Sequence, residues 1–361
     1  MRREYGETRG NRRDVGEFLT DKGGGRESTA LNIFRQQEVE LAQEELAKEF
    51  DQKFAEEVPA LAARWARRVE LHGTWLDGNK REGVQMSVAD GTFTGLSLPG
   101  VRLARSVMPG GTWLEADLSG TDLSQSELQR SDFRRASLNR ADLSESELDE
   151  SNFEQAWLLG ANLSEAKLGN CRMAGANMGE ARLQGATLTQ CDLTMAQMAS
   201  AALHQARLYS SNLSGAVLDG ANFYRVRAQL CRFFQAQMEE ANLSYGSFTD
   251  CDFSQAEMLR VNCQNSDMSR AQFTRAKLRS ADFRNAKLGG ADFCGAQLQG
   301  ARFQGAQLLA ADFRDANLQG AREMTADQLA MARTDQTTIL PNGTAGPYMK
   351  RSGAEKPGLV R

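Results

Sequence analysis

The stretch Ala116-Asp-Leu-Ser-Gly120, followed at once by Thr121-Asp-Leu-Ser-Gln125, decides the fold, because its five-residue period runs from Met86 to Gly320. The same pattern is still present in Ala311-Asp-Phe-Arg-Asp315, near the end of the array. Positions whose numbers end in 3 or 8 carry Leu, Phe or Met almost without exception, and a small residue stands two positions earlier. A fixed period over most of a chain predicts a stacked, nearly one-dimensional architecture.

The five-residue period also predicts which side chains face the interior. Residues two apart in an extended segment point to the same side, so the small residue and the Leu or Phe of each unit both enter a narrow core. The next two residues form a corner, where Gly120 and Gly160 suit the positive-φ position of a type II turn. Successive coils are expected to pair as parallel strands about 4.8 Å apart, and about twelve coils give a rod on the order of 55 Å long.

A second periodicity sets the number of units in each coil. Phenylalanines recur every twenty residues from Phe233 through Phe253, Phe273 and Phe293 to Phe313, while Leu118, Leu138 and Leu158 recur on another face. Core residues must stack on the residues of the next coil, so this sorting predicts four five-residue units per coil.

The repeated motif is a small residue, Asp or Asn, Leu or Phe, and two variable residues, as in Ala161-Asn-Leu-Ser-Glu165 and Ala281-Asp-Phe-Arg-Asn285. This motif resembles that of the pentapeptide-repeat family over roughly two thirds of the chain. The resemblance implies an all-β solenoid, the right-handed quadrilateral β-helix of that family, with one unit on each side of a square. The stretch from Thr325 to Pro341 looks like the closing helix and cap of the same family.

The regions outside the array differ from it in composition and predict further elements. Leu46, Phe50 and Phe54 recur at helical spacing, and Pro59 suits the first turn of a second helix, followed by a connection from His72 to Gly83. Thr325 predicts an N-capped short helix. The expected division is a disordered arm at 1–27, a helical segment and connection at 28–85, the repeat β-helix at 86–322, a C-terminal cap at 323–343 and a disordered tail at 344–361.

The composition restricts the classes of partner. Lys and Arg number 43 and Asp and Glu 47, a net charge of −4, so no strongly basic field attracts nucleic acid and nucleic acid is not the expected partner. The chain has no apolar run of membrane-spanning length, and Met1 opens no recognisable cleavable signal. These features predict a cytoplasmic protein, and secretion by a non-classical bacterial system stays open.

The residues that usually carry chemistry are explained by the repeat. Cys171, Cys191, Cys231 and Cys251 take the small-residue position and Cys263 the Leu/Phe position, so they are interpreted as core packing without disulfides, and Cys294, at a turn, as the most reactive thiol. Asp and Asn at the second position belong to the motif, and His72 and His204 have no metal-ligand spacing. We predict no catalytic residue, no cofactor and no metal, and therefore no enzyme.

Two surface sets are candidates for binding another protein. The first is an acidic patch of Glu145, Glu147, Asp149, Glu150 and Glu154. The alternative interpretation of these residues is an ordinary solvated surface of mixed charge. The second gathers Tyr, Arg and exposed Leu, as binding hot spots do, although tyrosines also fall on turn positions by chance: Arg207, Tyr209, Tyr224, Arg225, Arg227, Leu230 and Tyr245. Ala228, on the same face, interrupts the core where Leu or Phe is expected.

The helical segment at 28–70 has two interpretations. Open ends of a solenoid expose unpaired strand edges, so the helices are expected to cap one end. The alternative is a contact with another protein through these helices.

The function predicted from these features is a non-catalytic protein–protein interaction scaffold or adaptor built on a rigid rod, with one or more proteins as partners. By resemblance alone, the chain is similar to pentapeptide-repeat proteins associated with bacterial type VI secretion loci, which serve as adaptors or effector partners. The alternative is a DNA-mimic, gyrase-binding protein of the quinolone-resistance type. The many arginines, among them Arg275, Arg279 and Arg284, and the lack of an aromatic residue in the 325–332 helix argue against that alternative.

Overall fold

The computed structural model describes residues 57–78 and 80–357. Two helices occur there, α1 at Glu57–Asp77 and α2 at Ala326–Met331. Between them the chain consists of short extended segments and turns, with three longer strands, β1 at Thr187–Thr189, β2 at Arg207–Tyr209 and β3 at Arg227–Gln229, in one parallel sheet of order β1-β2-β3. No helix in these residues has both the length and the apolar character needed to cross a bilayer.

Parallel pairing between residues twenty apart builds the array. Asp117 pairs with Ser137, and the Leu118 N–H donates to the Ser137 carbonyl at 2.7 Å while the Ser137 N–H donates to the Ala116 carbonyl at 2.8 Å. The same step recurs from Ser87 to Arg322. The chain is therefore a β-solenoid with four five-residue units per coil, as the phenylalanine spacing predicts.

The corners hold more than glycine. Gly120 has φ 65°, as expected, but Arg130 has φ 59° and Glu145 φ 56°, and most corner positions carry such non-glycine residues. A left-handed conformation is unfavourable for a residue with a Cβ. The stack of coils holds it in place, because the Arg130 N–H donates to the Asp149 carbonyl at 2.9 Å and the Glu145 N–H to the Ser164 carbonyl at 2.8 Å.

The predicted phenylalanine column is present in the core. Successive ring centroids from Phe233 to Phe313 lie 4.7, 5.2, 4.8 and 4.9 Å apart in nearly parallel planes. The same column is aromatic again at its other end, where Phe93, Trp113, Phe133 and Phe153 stack. This second aromatic run has the same twenty-residue spacing in the sequence and was not among the predicted stacks.

Helix α1 covers the first coil and extends the aromatic column. Trp65 is buried, its ring lies 4.7 Å from that of Phe93, and its Nε1–H donates to the Thr92 carbonyl at 3.1 Å. The capping interpretation therefore holds for α1. The helix predicted over Leu46–Phe54 and the arm at 1–27 lie outside the described residues.

The predicted connection from His72 to Gly83 is wrong in its first half, because α1 continues to Asp77. His72 is fully buried: its Nδ1 accepts the Met86 N–H at 2.9 Å, and its Nε2 lies 3.0 Å from the Ala104 carbonyl. Asp77 forms an ion pair with Arg102 at 2.7 Å. These contacts with the array extend the helix beyond the residues whose pattern indicated it.

Helix α2 and the residues after it cover the last coil. Thr325 and Gln328 form the expected N-cap with a reciprocal capping box, and the Gln328 Nε2 donates to the Phe303 and Ala306 carbonyls, each at 2.8 Å. The Thr338 hydroxyl donates to the Phe313 carbonyl at 3.0 Å. Carbonyls at the open end thus find partners in the cap.

The prediction of a disordered tail at 344–361 is wrong for its described part, 344–357. Ala345 pairs antiparallel with Ile339, and the Tyr348 N–H donates to the Thr334 hydroxyl at 2.8 Å. Ala354 is buried. Polar, Gly-rich composition indicated disorder, but these residues gain order by packing on the cap. Residues 358–361 lie outside the described part.

Candidate protein-binding surface

The seven candidates of the Tyr, Arg and Leu set lie on one side of the rod, which we name the β1–β3 side. It consists of strands β1–β3 and the residues stacked on them at twenty-residue spacing, with a corner on each edge. Parallel register aligns Arg207 with Arg227 and Thr189 with Tyr209. Leu208 at the centre of β2 is buried, while Arg207 and Tyr209 on either side of it are exposed. Alternation along each strand therefore presents these side chains outward.

Three of the predicted residues form a contact cluster, the tyrosine corner: Tyr224, Arg225 and Tyr245. The two tyrosine rings lie 5.6 Å apart at 71°, and the Arg225 guanidinium lies 5.1 Å from the Tyr224 ring centroid. The backbone holds the corner, because the Tyr245 N–H donates to the Gln264 carbonyl at 2.9 Å. Tyr245 is 55% exposed, so the cluster is preassembled and accessible.

Arg207 and Arg227 occupy the face beside this corner. They are aligned neighbours on adjacent strands, and neither forms an ion pair with any residue in the described ranges. Like charges directly opposite each other on a sheet are destabilising. The opposite corner carries Tyr209 and Leu230, which are 46% and 54% exposed. All seven predicted residues therefore share one side of the rod, and its two corners.

Ala228 does not open the core beneath this surface. It is fully buried, and the next residue in its column, Phe248, fills the space with a ring 6.3 Å from Phe223 and 6.4 Å from Phe233. Gly246 completes the arrangement, since a Cβ there would lie 2.5 Å from the Phe248 ring. The interpretation of Ala228 as a core lapse is therefore wrong: a small residue and a large residue on adjacent coils compensate each other.

The acidic residues are partly engaged within the chain. Glu147 pairs with Lys167 at 2.7 Å, and this hydrogen bond lowers the pKa of its carboxyl. Asp149 accepts the Gly169 N–H at 2.6 Å. Glu145 accepts a hydrogen bond from Gln125 at 3.0 Å, and Glu150 is exposed. These four lie on the β1–β3 side and its corners, three coils before the arginines, whereas Glu154 falls on the next corner along the coil.

The cysteines contribute hydrogen bonds to the core. The Cys171 thiol donates to the Leu148 carbonyl at 3.1 Å and the Cys191 thiol to the Leu168 carbonyl at 2.5 Å. Burial raises the pKa of the Cys263 thiol. Burial and the neighbouring Asp292 carboxylate raise the pKa of Cys294 to about 12. Cys294 is therefore protonated at neutral pH, and it is the one cysteine of the six that is not buried, so its assignment as the most reactive thiol stays a prediction.

Within residues 57–78 and 80–357 no three His, Cys, Asp or Glu side chains cluster as metal ligands do. Both ring nitrogens of His72 lie within hydrogen-bond distance of backbone groups. The β1–β3 side presents aromatic rings and guanidinium groups on a hydrogen-bonded backbone, and these side-chain types are enriched at protein interfaces.

Comparisons with known proteins support this architecture. A model of eight-copy pentapeptide repeats matches residues 116–155, 158–194 and 196–233, and a model of a pentapeptide repeat region matches residues 246–322. No match was found among curated proteins.

Solved structures similar to the chain include two pentapeptide-repeat proteins and a fluoroquinolone resistance protein. HetL, involved in heterocyst differentiation regulation in the cyanobacterium Nostoc sp., is 29% identical over 70% of this chain and 92% of its own, with a TM-score of 0.23. A thylakoid-lumen protein of Arabidopsis thaliana is 22% identical over 28% of this chain and 70% of its own, with a TM-score of 0.27. Full-length QnrB1, a plasmid-mediated fluoroquinolone resistance protein, is 18% identical over 68% of this chain and 94% of its own, with a TM-score of 0.17. With the repeat models matching most of the array and the coils built as that motif requires, the chain belongs to the pentapeptide-repeat family.

Proposed function

We propose that this protein is a non-catalytic protein–protein interaction scaffold or adaptor, built on a rigid right-handed quadrilateral β-helix, whose partner binds the β1–β3 side. The observation that carries the proposal is the tyrosine corner, in which Tyr224 contacts both Tyr245 and Arg225. Beside it lie Arg207 and Arg227, which form no ion pair with the residues that the structure describes. Tyr and Arg are the residue types in which binding energy concentrates.

The stiffness of the surface favours binding. The corner residues are fixed by hydrogen bonds between coils, such as that from the Arg225 N–H to the Ser244 carbonyl at 3.1 Å. A partner therefore meets side chains whose backbone is already ordered, and less conformational entropy is lost on association. Tyr209 and Leu230 on the far corner widen the contact to the full breadth of the side.

The test is a pull-down of native partners with the full chain and with a variant that combines Tyr224→Ala, Arg225→Ala and Tyr245→Ala. We expect capture to fall at least about tenfold, because each hot-spot residue contributes on the order of 2 kcal/mol. The melting temperature should stay the same, since all three side chains lie outside the core. Trp157→Ala, an exposed aromatic on another face, is the matched control. Unchanged capture by the triple variant contradicts the proposal.

The cellular setting of the scaffold is part of the same proposal. A cytoplasmic adaptor that serves a bacterial secretion system, of type VI above all, should co-purify with components of that system. Contact through the 28–70 region is tested by deleting residues 1–56, a deletion that leaves the capping helix α1 in place. Partners lost on this deletion bind residues 1–56, and partners retained bind α1 or the rod.

The gyrase-binding alternative requires a continuous acidic surface that imitates a DNA duplex. Along this array cations are interspersed with anions instead, as in the pairs Lys167–Glu147 and Arg270–Asp250. A DNA gyrase supercoiling assay with and without a quinolone discriminates the two functions. Protection of gyrase by the purified chain supports the alternative, and no effect supports the scaffold.

A further inference from the structure

One column of outward residues on the β1–β3 side has an ordered charge sequence, which we name the charged ladder: Glu127, Glu147, Lys167, Thr187, Arg207 and Arg227. Each member pairs through its backbone with the next, so the six form a straight row across six coils. At about 4.8 Å per coil the row is about 24 Å long. It begins with two anions and ends with two cations.

This order is unlike that of other charged columns in the array. Arg270 pairs with Asp250 at 2.6 Å and Lys277 pairs with Glu257, so a cation in those columns stands one coil from its anion. The column of the charged ladder itself continues past Arg227 through Ser247 to such a pair, Asp267 and Lys287 at 3.4 Å. In the charged ladder Glu127 stacks on Glu147 and Arg207 on Arg227, and within the described part of the chain only the Glu147–Lys167 pair is neutralised. Among the described residues Glu127, Arg207 and Arg227 form no ion pair.

We propose that the charged ladder binds a second copy of this chain, side to side and antiparallel. Reversing the row places Glu127 against Arg227 of the other copy and Glu147 against Arg207. Lys167 then faces Thr187 of the other copy. All three pairs are related by the same two-fold axis, which passes midway between Lys167 and Thr187. A single two-fold axis therefore satisfies the whole row, as an isologous interface requires. The inference rests on the proposed function, because it names the protein that Arg207 and Arg227 bind.

The two corners are compatible with this alignment. Arg225 comes opposite Gln125, and Tyr209 comes opposite Asp149, so neither corner places like charges together. By the same symmetry Tyr224 comes opposite Ser124 and Tyr245 opposite Arg105, at the edge of the interface. One narrow side of a rod buries little area, and its pairs are exposed to solvent. The association is therefore expected to be weak and to weaken further with salt.

Sedimentation equilibrium of the full chain tests the proposal, with dimerisation measured at about 50 mM and 500 mM NaCl. We expect a dimer at low salt that weakens at least about tenfold at high salt. Arg227→Glu and Glu127→Arg should each weaken dimerisation at least about tenfold, since each places two like-charged contacts in the symmetric interface. The double variant Glu127→Arg/Arg227→Glu exchanges the charges and should return to within about threefold of the original affinity.

Arg182→Glu, an exposed position on a neighbouring side, is the control and should leave dimerisation unchanged. The melting temperature of Arg227→Glu should not fall, because the substitution removes a like-charge contact with Arg207. A chain that stays monomeric at low salt overturns the proposal and leaves the tyrosine-corner pull-down as a separate test of the proposed function. A dimer that the double variant does not restore overturns it as well, because it then forms through other residues.

Discussion

The size of each core residue in this solenoid is set by its neighbour on the next coil. Phe248 occupies a position where most coils carry Leu or Met, and it is accommodated by Ala228 one coil earlier and Gly246 two residues earlier. Interiors pack at the density of organic crystals, so the volume added by one side chain must be removed from another. A column is therefore the unit in which core substitutions at these positions have to be judged.

A pair of substitutions tests this compensation. Ala228→Leu should destabilise the protein by about 1–3 kcal/mol, because it overpacks the site beside Phe248. Phe248→Leu should destabilise it by about 1–2 kcal/mol, because it leaves space beside Ala228. Urea unfolding measures both changes.

The double variant Ala228→Leu/Phe248→Leu restores an ordinary leucine column, and its loss of stability should be smaller than the sum of the two single losses by at least about 1 kcal/mol. Additive losses would show that the two residues do not share the space. Leu138→Ala, in a regular part of the array, should cost about 2–5 kcal/mol and gives the scale of an uncompensated cavity.

His72 makes the N-terminal cap sensitive to acid. Burial is the main cause that lowers its pKa from the ordinary 6.5, and its Nδ1 accepts the Met86 N–H, so the folded state favours the neutral ring. The unfolded chain then binds a proton more readily than the folded chain. Stability is present above about pH 6.5 and is lost as the pH falls below that value, by at most about 1.4 kcal/mol per pH unit.

The measurement is the melting temperature at pH 7.5 and at pH 5.5. His72→Gln should lower it at pH 7.5 and reduce the further drop at pH 5.5, because no group at this position titrates. His204→Gln, which changes the chain's other histidine, should keep the drop of the unaltered protein. A pH dependence that survives in His72→Gln would mean that the cap is not the acid-sensitive element.

At the scale of elements, the two ends of the array are closed by different means. Helix α1 closes the first coil with an aromatic ring, through Trp65 on Phe93. The last coil is closed by hydrogen bonds to its carbonyls, two of them from the single side chain of Gln328. Because a carbonyl left without a partner in a buried position is costly, Gln328 is expected to be the most sensitive polar residue of the cap.

Gln328→Ala should destabilise the protein by about 2–4 kcal/mol, since it removes the capping box and two buried hydrogen bonds. Gln307→Ala, at an exposed position of the array, is the matched control and should change stability by less than about 0.5 kcal/mol. Chemical denaturation of both variants provides the comparison. If both variants lost equally little stability, water would have replaced the hydrogen bonds that Gln328 donates in the cap.

The elements that the sequence predicted are those with a repeating pattern. The corners, the buried positions and the twenty-residue coil follow from the five-residue period, and the N-cap at Thr325 follows from its local motif. The extension of α1 past His72 and the order of residues 344–357 were missed, because both depend on contacts with distant parts of the array, such as the bond between His72 and Met86. The residues of the candidate surface were predicted from the sequence, whereas the lack of an ion pair between Arg207 or Arg227 and any described residue is known only from the structure.

For the whole molecule, the register of the coils decides which residues share a side. Every unit has the same backbone conformation and the same core positions, so deletion of whole units should leave the fold intact. The deletion rotates the residues before it, relative to the residues after it, about the axis of the rod. A deletion of twenty residues, 161–180, removes one full coil and keeps Glu127 and Glu147 on the side of the arginines. A deletion of ten residues, 161–170, turns these glutamates to the opposite side.

We expect both deletion variants to fold cooperatively, with circular dichroism spectra like that of the full chain, because each junction joins units with the same pattern. The twenty-residue deletion should still form the salt-sensitive dimer, since its ladder of Glu127, Glu147, Thr187, Arg207 and Arg227 remains self-complementary about Thr187. The ten-residue deletion should be monomeric, because its anions and cations face opposite directions. Dimers of equal strength in both variants would show that association does not require the glutamates and the arginines to share one side of the rod.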